Sequence, residues 1–331
     1  MEAKKNLDFS DLWRCSLGFL TVWISHLGRR FGILQALARN GSLTVEELSQ
    51  MNYLHSPAVS LWCEAAYSLG LIDRDSNRYY LSGKRCSLLV DEVNREYIGG
   101  QFSYLALRSL DYDAFDDFFK RGKLHSFSRN LAEAYDEATK WDHTAFLDTL
   151  CRIPKIHLLL SKGARVLDVG SGTGEWVLRL AKVFPNSSFN GIDPNRSVVT
   201  IARVKAKSQY LNNVRFSVGT GESIRYEESF DMIYLGEVLC IVQSKLKILK
   251  NCFHALRPSG YLVIAEGLID KKAGIRKREN QIIYAMQLDF ALQGAVFLSK
   301  NELKNLLLEA GFKSPIFMKA GGGLWFIIVR K

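Results

Sequence analysis

Val166-Leu167-Asp168-Val169-Gly170-Ser171-Gly172-Thr173-Gly174-Glu175-Trp176 reads as an apolar strand, a glycine-rich turn and the opening of a helix. Glycines at such a turn let the main chain bend sharply and approach a ligand with no Cβ in the way. A second apolar stretch, Ser188-Phe189-Asn190-Gly191-Ile192, ends on Asp193 and is followed by Pro194. In an open parallel α/β sheet this pairing builds a nucleoside pocket: backbone meets the ligand at the glycines, and a carboxylate at the next strand tip takes the ribose hydroxyls. A glycine-rich turn alone carries little information. Asp168 before the first glycine and Asp193 at the neighbouring strand end make it specific.

Spacing decides which nucleoside. A dinucleotide fingerprint requires G-x-G-x-x-G, and counting from Gly170 and Gly172 puts the large, charged Glu175 where the third glycine belongs. No Gly-Lys-Ser/Thr follows, so a P-loop is excluded as well. Asp168-x-Gly170-x-Gly172-x-Gly174 instead resembles motif I of the class I S-adenosylmethionine (SAM)-dependent methyltransferases. SAM has no phosphates, so the turn need only let adenosine and the methionine tail lie against the backbone.

The resemblance runs in order from about residue 160 to the end of the chain. Val214–Val218 is a third strand, leading into Gly219-Thr220-Gly221-Glu222, where the family often has Gly-Asp-Ala-Glu beside the adenine. Thr220 stands in place of that Asp, leaving its hydroxyl or carbonyl as the substitute contact. Phe230–Leu235 is the fourth strand, continuing into Gly236-Glu237-Val238-Leu239-Cys240, and a helix follows around 246–256. A turn at Arg257-Pro258-Ser259-Gly260 opens a fifth strand that ends at Glu266. A helix over 302–310 and two strands flanking Gly321-Gly322-Gly323 complete the set. The resemblance implies a Rossmann-like seven-stranded α/β sheet, mostly parallel with a terminal antiparallel strand. It further implies SAM as cofactor and S-adenosylhomocysteine as product, held by Asp168, Gly170, Ser171, Gly172, Gly174, Asp193, Pro194, Thr220, Gly221, Leu235 and Gly236.

Composition sets outer bounds. A chain of 331 residues exceeds the usual size of one domain. No apolar run is long enough to span a bilayer; the most hydrophobic early stretch, 17–24, falls far short. Six cysteines (15, 63, 86, 151, 240 and 252) lack CxxC spacing, which favours neither a metal site nor a disulfide framework and points to a reducing cytoplasm. The formal net charge of +10 raises the question of an anionic partner. The basic residues are dispersed, however, apart from one run, Lys271-Lys272-Ala273-Gly274-Ile275-Arg276-Lys277-Arg278, which reads as a solvated loop.

The N-terminal part has its own pattern. Residues 27–38 form an amphipathic helix stopped by Asn40-Gly41, Thr44-Val45-Glu46-Glu47 is a capping box, and Ser56-Pro57 starts a helix running to Leu69-Gly70. Residues 71–81 read as two short strands with a turn at 75–77. Helices followed by such a wing suggest a winged helix. A DNA-reading helix would carry Arg and Lys toward bases and phosphates, but the 57–68 helix has neither, so a nucleic-acid partner is disfavoured. The same module before a SAM domain resembles the dimerisation domain of small-molecule O-methyltransferases, which implies a homodimer. The expected organisation is 1–95 winged helix, 96–160 helical connector and 161–331 SAM-binding domain.

The connector is rich in aromatics, including Trp141 close to His143. They fill a core between domains or wall a substrate pocket; both readings stay open. Methyl transfer from a sulfonium is an in-line displacement, favoured by positioning and, for a hydroxyl acceptor, by a general base. The plant-type relatives implied by the resemblance use a His after the fourth strand. Here Cys240 falls at that position, and a thiol of ordinary pKa about 8.5 is a poor replacement for imidazole. The candidate bases are His143, Glu237 and Glu266, and the candidate acceptor-lining residues are Trp141, His143, Cys240, Met286 and Phe290. The expected activity is methylation of a small aromatic or apolar metabolite. Oxygen is favoured as the acceptor atom, C, N and S remain open, and a ligand-sensing DNA-binding regulator or a catalytically silent partner subunit is the rival.

Overall fold

The computed structural model describes residues 8–125, 128–271, 274–275 and 278–331, so part of the basic run, 272–273 and 276–277, lies outside the described residues. The chain forms two compact units, Met1–Asp113 with Ser128–Thr144, and Ala114–Phe127 with Ala145–Lys331. The helical segment 96–160 is divided between them.

The first unit is mainly helical. Its elements are α1 (Phe9–Arg30), α2 (Ile33–Asn40), α3 (Val45–Asn52), α4 (Ser56–Ser68), the hairpin β1 (Asp73–Asp75) and β2 (Arg78–Tyr80), α5 (Gly83–Leu89) and α6 (Gly99–Ser109). The continuous helix expected over 27–38 is in fact two. Gly32 sits at φ +74°, a left-handed geometry that ends the α-helical hydrogen-bond run, so α1 reaches back to Phe9 and α2 starts anew. Thr44 and Glu47 form both bonds of the capping box at the start of α3. Leu34, Leu37, Leu48, Cys63, Ala66 and Ile72 are buried together, which ties α2, α3 and α4 to the segment leading into the hairpin. Among the described residues no helix is long and apolar enough to cross a membrane.

The second unit contains α7 (Phe115–Arg121), and α8 (Arg129–Cys151) enters it at Ala145. Then follow α9 (Pro154–Lys162), β3 (Arg165–Val169), α10 (Glu175–Val183), β4 (Ser188–Asp193), α11 (Arg196–Ser208), β5 (Val214–Val218) and β6 (Phe230–Gly236). The last elements are α12 (Lys245–Ala255), β7 (Leu256–Ile269), α13 (Arg278–Ala291), β8 (Leu298–Ser299), α14 (Lys300–Glu309), β9 (Lys313–Gly321) and β10 (Leu324–Arg330). Seven strands lie in the order β5-β4-β3-β6-β7-β10-β9, and the two-residue β8 pairs with the end of β7 as an addition to the expected seven. Of these seven strands β10 alone runs opposite to the rest, antiparallel to both β7 and β9. Val166, Leu167 and Val169 are buried, the near-continuous apolar run of a strand covered on both faces.

Strand order locates the site. From β3 the chain moves outward through β4 to β5, then crosses back to β6 on the other side of β3. That reversal opens a crevice beyond the carboxyl end of β3, where open α/β sheets bind ligands. Val169 is level with Ile192 on one side and Leu235 on the other. The register therefore brings the Gly170 turn, the tip of β4 and the exit of β6 to one edge.

Candidate active site

The turn after β3 uses its glycines for different purposes. Gly170, Gly172 and Gly174 all adopt positive φ, of 80°, 52° and 83°. A Cβ on Gly174 would lie 2.5 Å from the Phe216 ring and 3.0 Å from Ala202, so this position serves the close packing of α10 and α11 on the sheet. A Cβ on Gly170 would strike Val238 at 2.5 Å. A Cβ on Gly172 would meet nothing within 4 Å. Only Gly172 is bare toward open space. Gly191 was not singled out by the motif, yet a Cβ there would crowd Phe216 and the Ser171 hydroxyl at 2.5 and 2.7 Å.

Asp193 closes the turn from the side. Its Oδ2 accepts the Gly172 N–H at 3.0 Å and its Oδ1 accepts the Asn195 N–H at 2.8 Å, so the carboxylate is fixed in orientation while keeping lone pairs for further donors. Pro194 is exposed behind it. Asp168 is buried, and burial together with the nearby Asp193 carboxylate holds its carboxyl well above the usual range. The Ser171 hydroxyl is buried with no hydrogen-bond partner among the described residues. A bare glycine, an orphaned hydroxyl and two carboxyls short of positive charge fit SAM, whose sulfonium and ammonium are cationic and whose ribose offers a diol. Trp176, at the start of α10, stacks on Tyr234 of β6 with centroids 3.9 Å apart, which fixes the helix start over the sheet.

The other proposed cofactor contacts differ in what they offer. Thr220 uses both groups in its own turn: its hydroxyl oxygen accepts the Ser223 N–H and its carbonyl accepts the Ser223 hydroxyl, leaving the hydroxyl's own proton to donate. Gly221 is buried against Ile248, and Asn251, which the sequence did not flag, donates to the Gly221 and Glu222 carbonyls. Leu235 points into the hydrophobic core, leaving only its backbone for a ligand. A Cβ on Gly236 would crowd the Tyr234 ring at 2.8 Å.

At the exit of β6 the candidate bases separate. Glu266, at 1% exposure, accepts the Leu239 N–H at 2.6 Å. Burial first, and then the nearby Glu237, pushes its carboxyl up to about 8. Glu237 is half-buried, burial raises it to about 7, and its carboxylate takes no hydrogen bond among the described residues. Cys240 is buried, and burial together with the Glu266 and Glu237 carboxyls drives its thiol well above the ordinary range, toward the neutral form. Met286 and Phe290 lie on α13; Met286 is half-buried and Phe290 packs against Phe297 with centroids 4.8 Å apart. Trp141 and His143 belong to the first unit, where Trp141 donates to the Arg95 carbonyl at 3.1 Å and His143 is buried.

Comparison with known proteins accords with this geometry. Residues 160–311 match the methyltransferase domain family. Those residues form a methyltransferase domain. The methyltransferase is 28% identical over 178 residues to the demethylmenaquinone methyltransferase of Lactococcus lactis, a match spanning 49% of this chain and 70% of that one. Its fold is that of human N-acetylserotonin methyltransferase solved with SAM (TM-score 0.70, 18% identity, 100% of this chain and 99% of that one). It is equally that of an O-methyltransferase family protein from Burkholderia thailandensis (TM-score 0.70, 13% identity, 98% of each chain). Both likenesses run through the N-terminal helical part.

Proposed function

We propose that this methyltransferase transfers the methyl group of SAM to an oxygen of a small aromatic or apolar metabolite. The observation that carries the reading is the pairing of Gly172, bare toward open space, with an oriented Asp193 at the switch point of the sheet. When bound, SAM supplies an electrophilic methyl on a positively charged sulfur. The chain's own part would be to hold it: Asp193 would take the ribose hydroxyls, the Ser171 hydroxyl and Asp168 would serve the polar tail, and Gly172 would leave its backbone open to the ligand. The names of the relatives and fold neighbours support an aromatic acceptor, since they include a demethylmenaquinone and an N-acetylserotonin methyltransferase.

A homodimer completes the proposal, built through a winged-helix N-terminal domain. Helix α1 leaves Phe9, Leu12, Trp13, Leu17, Phe19 and Leu20 exposed, an apolar surface of the kind that marks an association site. A DNA-binding role finds no support in α4, which carries no Lys or Arg. The test is incubation of the full chain with SAM and a panel of phenols and hydroxylated heteroaromatics, read by mass spectrometry. Gain of one methyl on oxygen is expected. A SAM-binding chain that methylates only carbon, nitrogen or sulfur would overturn the oxygen assignment.

A further inference from the structure

We propose that Glu237 is the catalytic residue that takes the proton from the acceptor's hydroxyl, and that Glu266 is a positioning residue that holds the turn carrying it. The inference rests on the O-methyl transfer reading above and names the group that replaces the missing imidazole.

The turn after β6 is pinned at four points. The Glu237 N–H donates to the Ala265 carbonyl at 2.8 Å, and the Leu239 N–H donates to Glu266 Oε1 at 2.6 Å. The Val296 N–H donates to the Cys240 carbonyl at 2.8 Å, and the Cys240 thiol donates to the Glu237 carbonyl at 3.4 Å. These bonds hold Glu237 at φ +52°, a left-handed conformation that a non-glycine residue adopts only when its surroundings enforce it. Val238, the next residue, lies against the Gly170 turn, so Glu237 leaves the sheet beside the cofactor cradle. Of the two carboxyls, Glu266 is sealed and accepts the Leu239 N–H, whereas Glu237 is partly open and takes no hydrogen bond among the described residues.

The chemistry balances on these groups. The acceptor oxygen's lone pair forms the new O–C bond as the methyl–sulfur bond breaks, its electron pair remaining on sulfur. The hydroxyl proton passes to a Glu237 carboxylate oxygen and returns to water when product leaves. A carboxyl raised by burial toward neutrality suits this work, because a base is most effective when its pKa lies near the working pH. Glu266 on β7 and Cys240 on the same turn are its titratable neighbours, and burial pushes both toward their neutral forms.

Glu237→Gln and Glu237→Asp test the assignment, with phenol and 4-nitrophenol as probes of weak and strong acidity. With phenol, the wild-type rate rises with pH through neutrality as Glu237 loses its proton. Glu237→Gln is expected to lose that limb and roughly a hundredfold in kcat, within the usual contribution of a general base. On 4-nitrophenol, already ionised at mildly alkaline pH, the loss should shrink to a fewfold, and Glu237→Asp should recover part of the phenol rate. Two readouts are independent of turnover. SAM affinity by calorimetry should be unchanged in Glu237→Gln, and the infrared carbonyl band of a protonated carboxyl that bleaches near neutrality should disappear. Glu266→Gln, which keeps an acceptor for the Leu239 N–H, should retain the pH limb. Equal losses on both phenols, a limb surviving in Glu237→Gln, or a SAM-binding wild-type chain inert toward both probes would overturn the proposal. Failure of the wild-type chain to bind SAM would instead sink the broader functional reading.

Discussion

Gly172→Val is expected to yield a chain that folds and no longer takes up SAM. A Cβ at this position meets no protein atom within 4 Å, so the folded state has room for a side chain. The penalty to the fold is conformational, roughly 1–2 kcal/mol for a left-handed non-glycine residue, and larger for a β-branched one. The penalty to the ligand is steric, because valine fills the space where backbone and cofactor would touch. Gly172→Ala separates the two effects. It carries the same backbone strain with a single methyl, and overpacking of about 1–3 kcal/mol corresponds to a loss of roughly fivefold to 150-fold in SAM affinity. Gly174→Ala is the contrasting case: its Cβ would strike Phe216 and Ala202, so the melting temperature should fall first. Circular dichroism with calorimetry on the three variants checks the pattern. A folded Gly172→Val that binds SAM normally would contradict the close approach.

Asp193→Ala should weaken SAM binding by about a hundredfold to ten-thousandfold. The estimate takes two hydrogen bonds from the ribose hydroxyls to an ionised carboxylate, each about 1.5–3 kcal/mol. The substitution also releases the Gly172 and Asn195 N–H groups, so some loss comes from slackening of the turn. Asp193→Asn divides these contributions: it keeps one oxygen acceptor and the side-chain shape but removes the charge, and an intermediate affinity is expected. Thermal melting in the absence of SAM measures the slackening separately. Unchanged affinity in Asp193→Ala would remove the carboxylate from the cofactor site.

The parts of this molecule legible in the sequence are those whose physics is local. The Asp168-x-Gly170-x-Gly172-x-Gly174 turn, the apolar runs of β3 and β6 and the Thr44–Glu47 capping box each announce themselves within a few residues. Structure was needed wherever a residue's meaning depends on a distant neighbour. The three glycines of the turn look equivalent until Val238, Phe216 and Ala202 are seen to occupy the space beside two of them. Glu237 and Glu266 both read as acids at strand ends in the sequence, but β7 runs on to Ile269, and burial and the Leu239 N–H brought to Glu266 by the turn after β6 tell the two apart. Thr220 offers a hydroxyl in the sequence, and only the structure shows that its oxygen also accepts the Ser223 N–H in a cap that lacks the usual Glu or Gln. Helix α1 went unread because its apolar residues do not gather into one core-facing stripe, many of them facing outward, and Gly32 cuts the periodicity near its end.

Isothermal titration of the purified full chain with SAM, and with S-adenosylhomocysteine, tests the central claim most directly. Saturable binding of one molecule of either compound per chain is expected, abolished by Gly172→Val and weakened by Asp193→Ala. A folded wild-type chain that takes up neither compound would contradict the account.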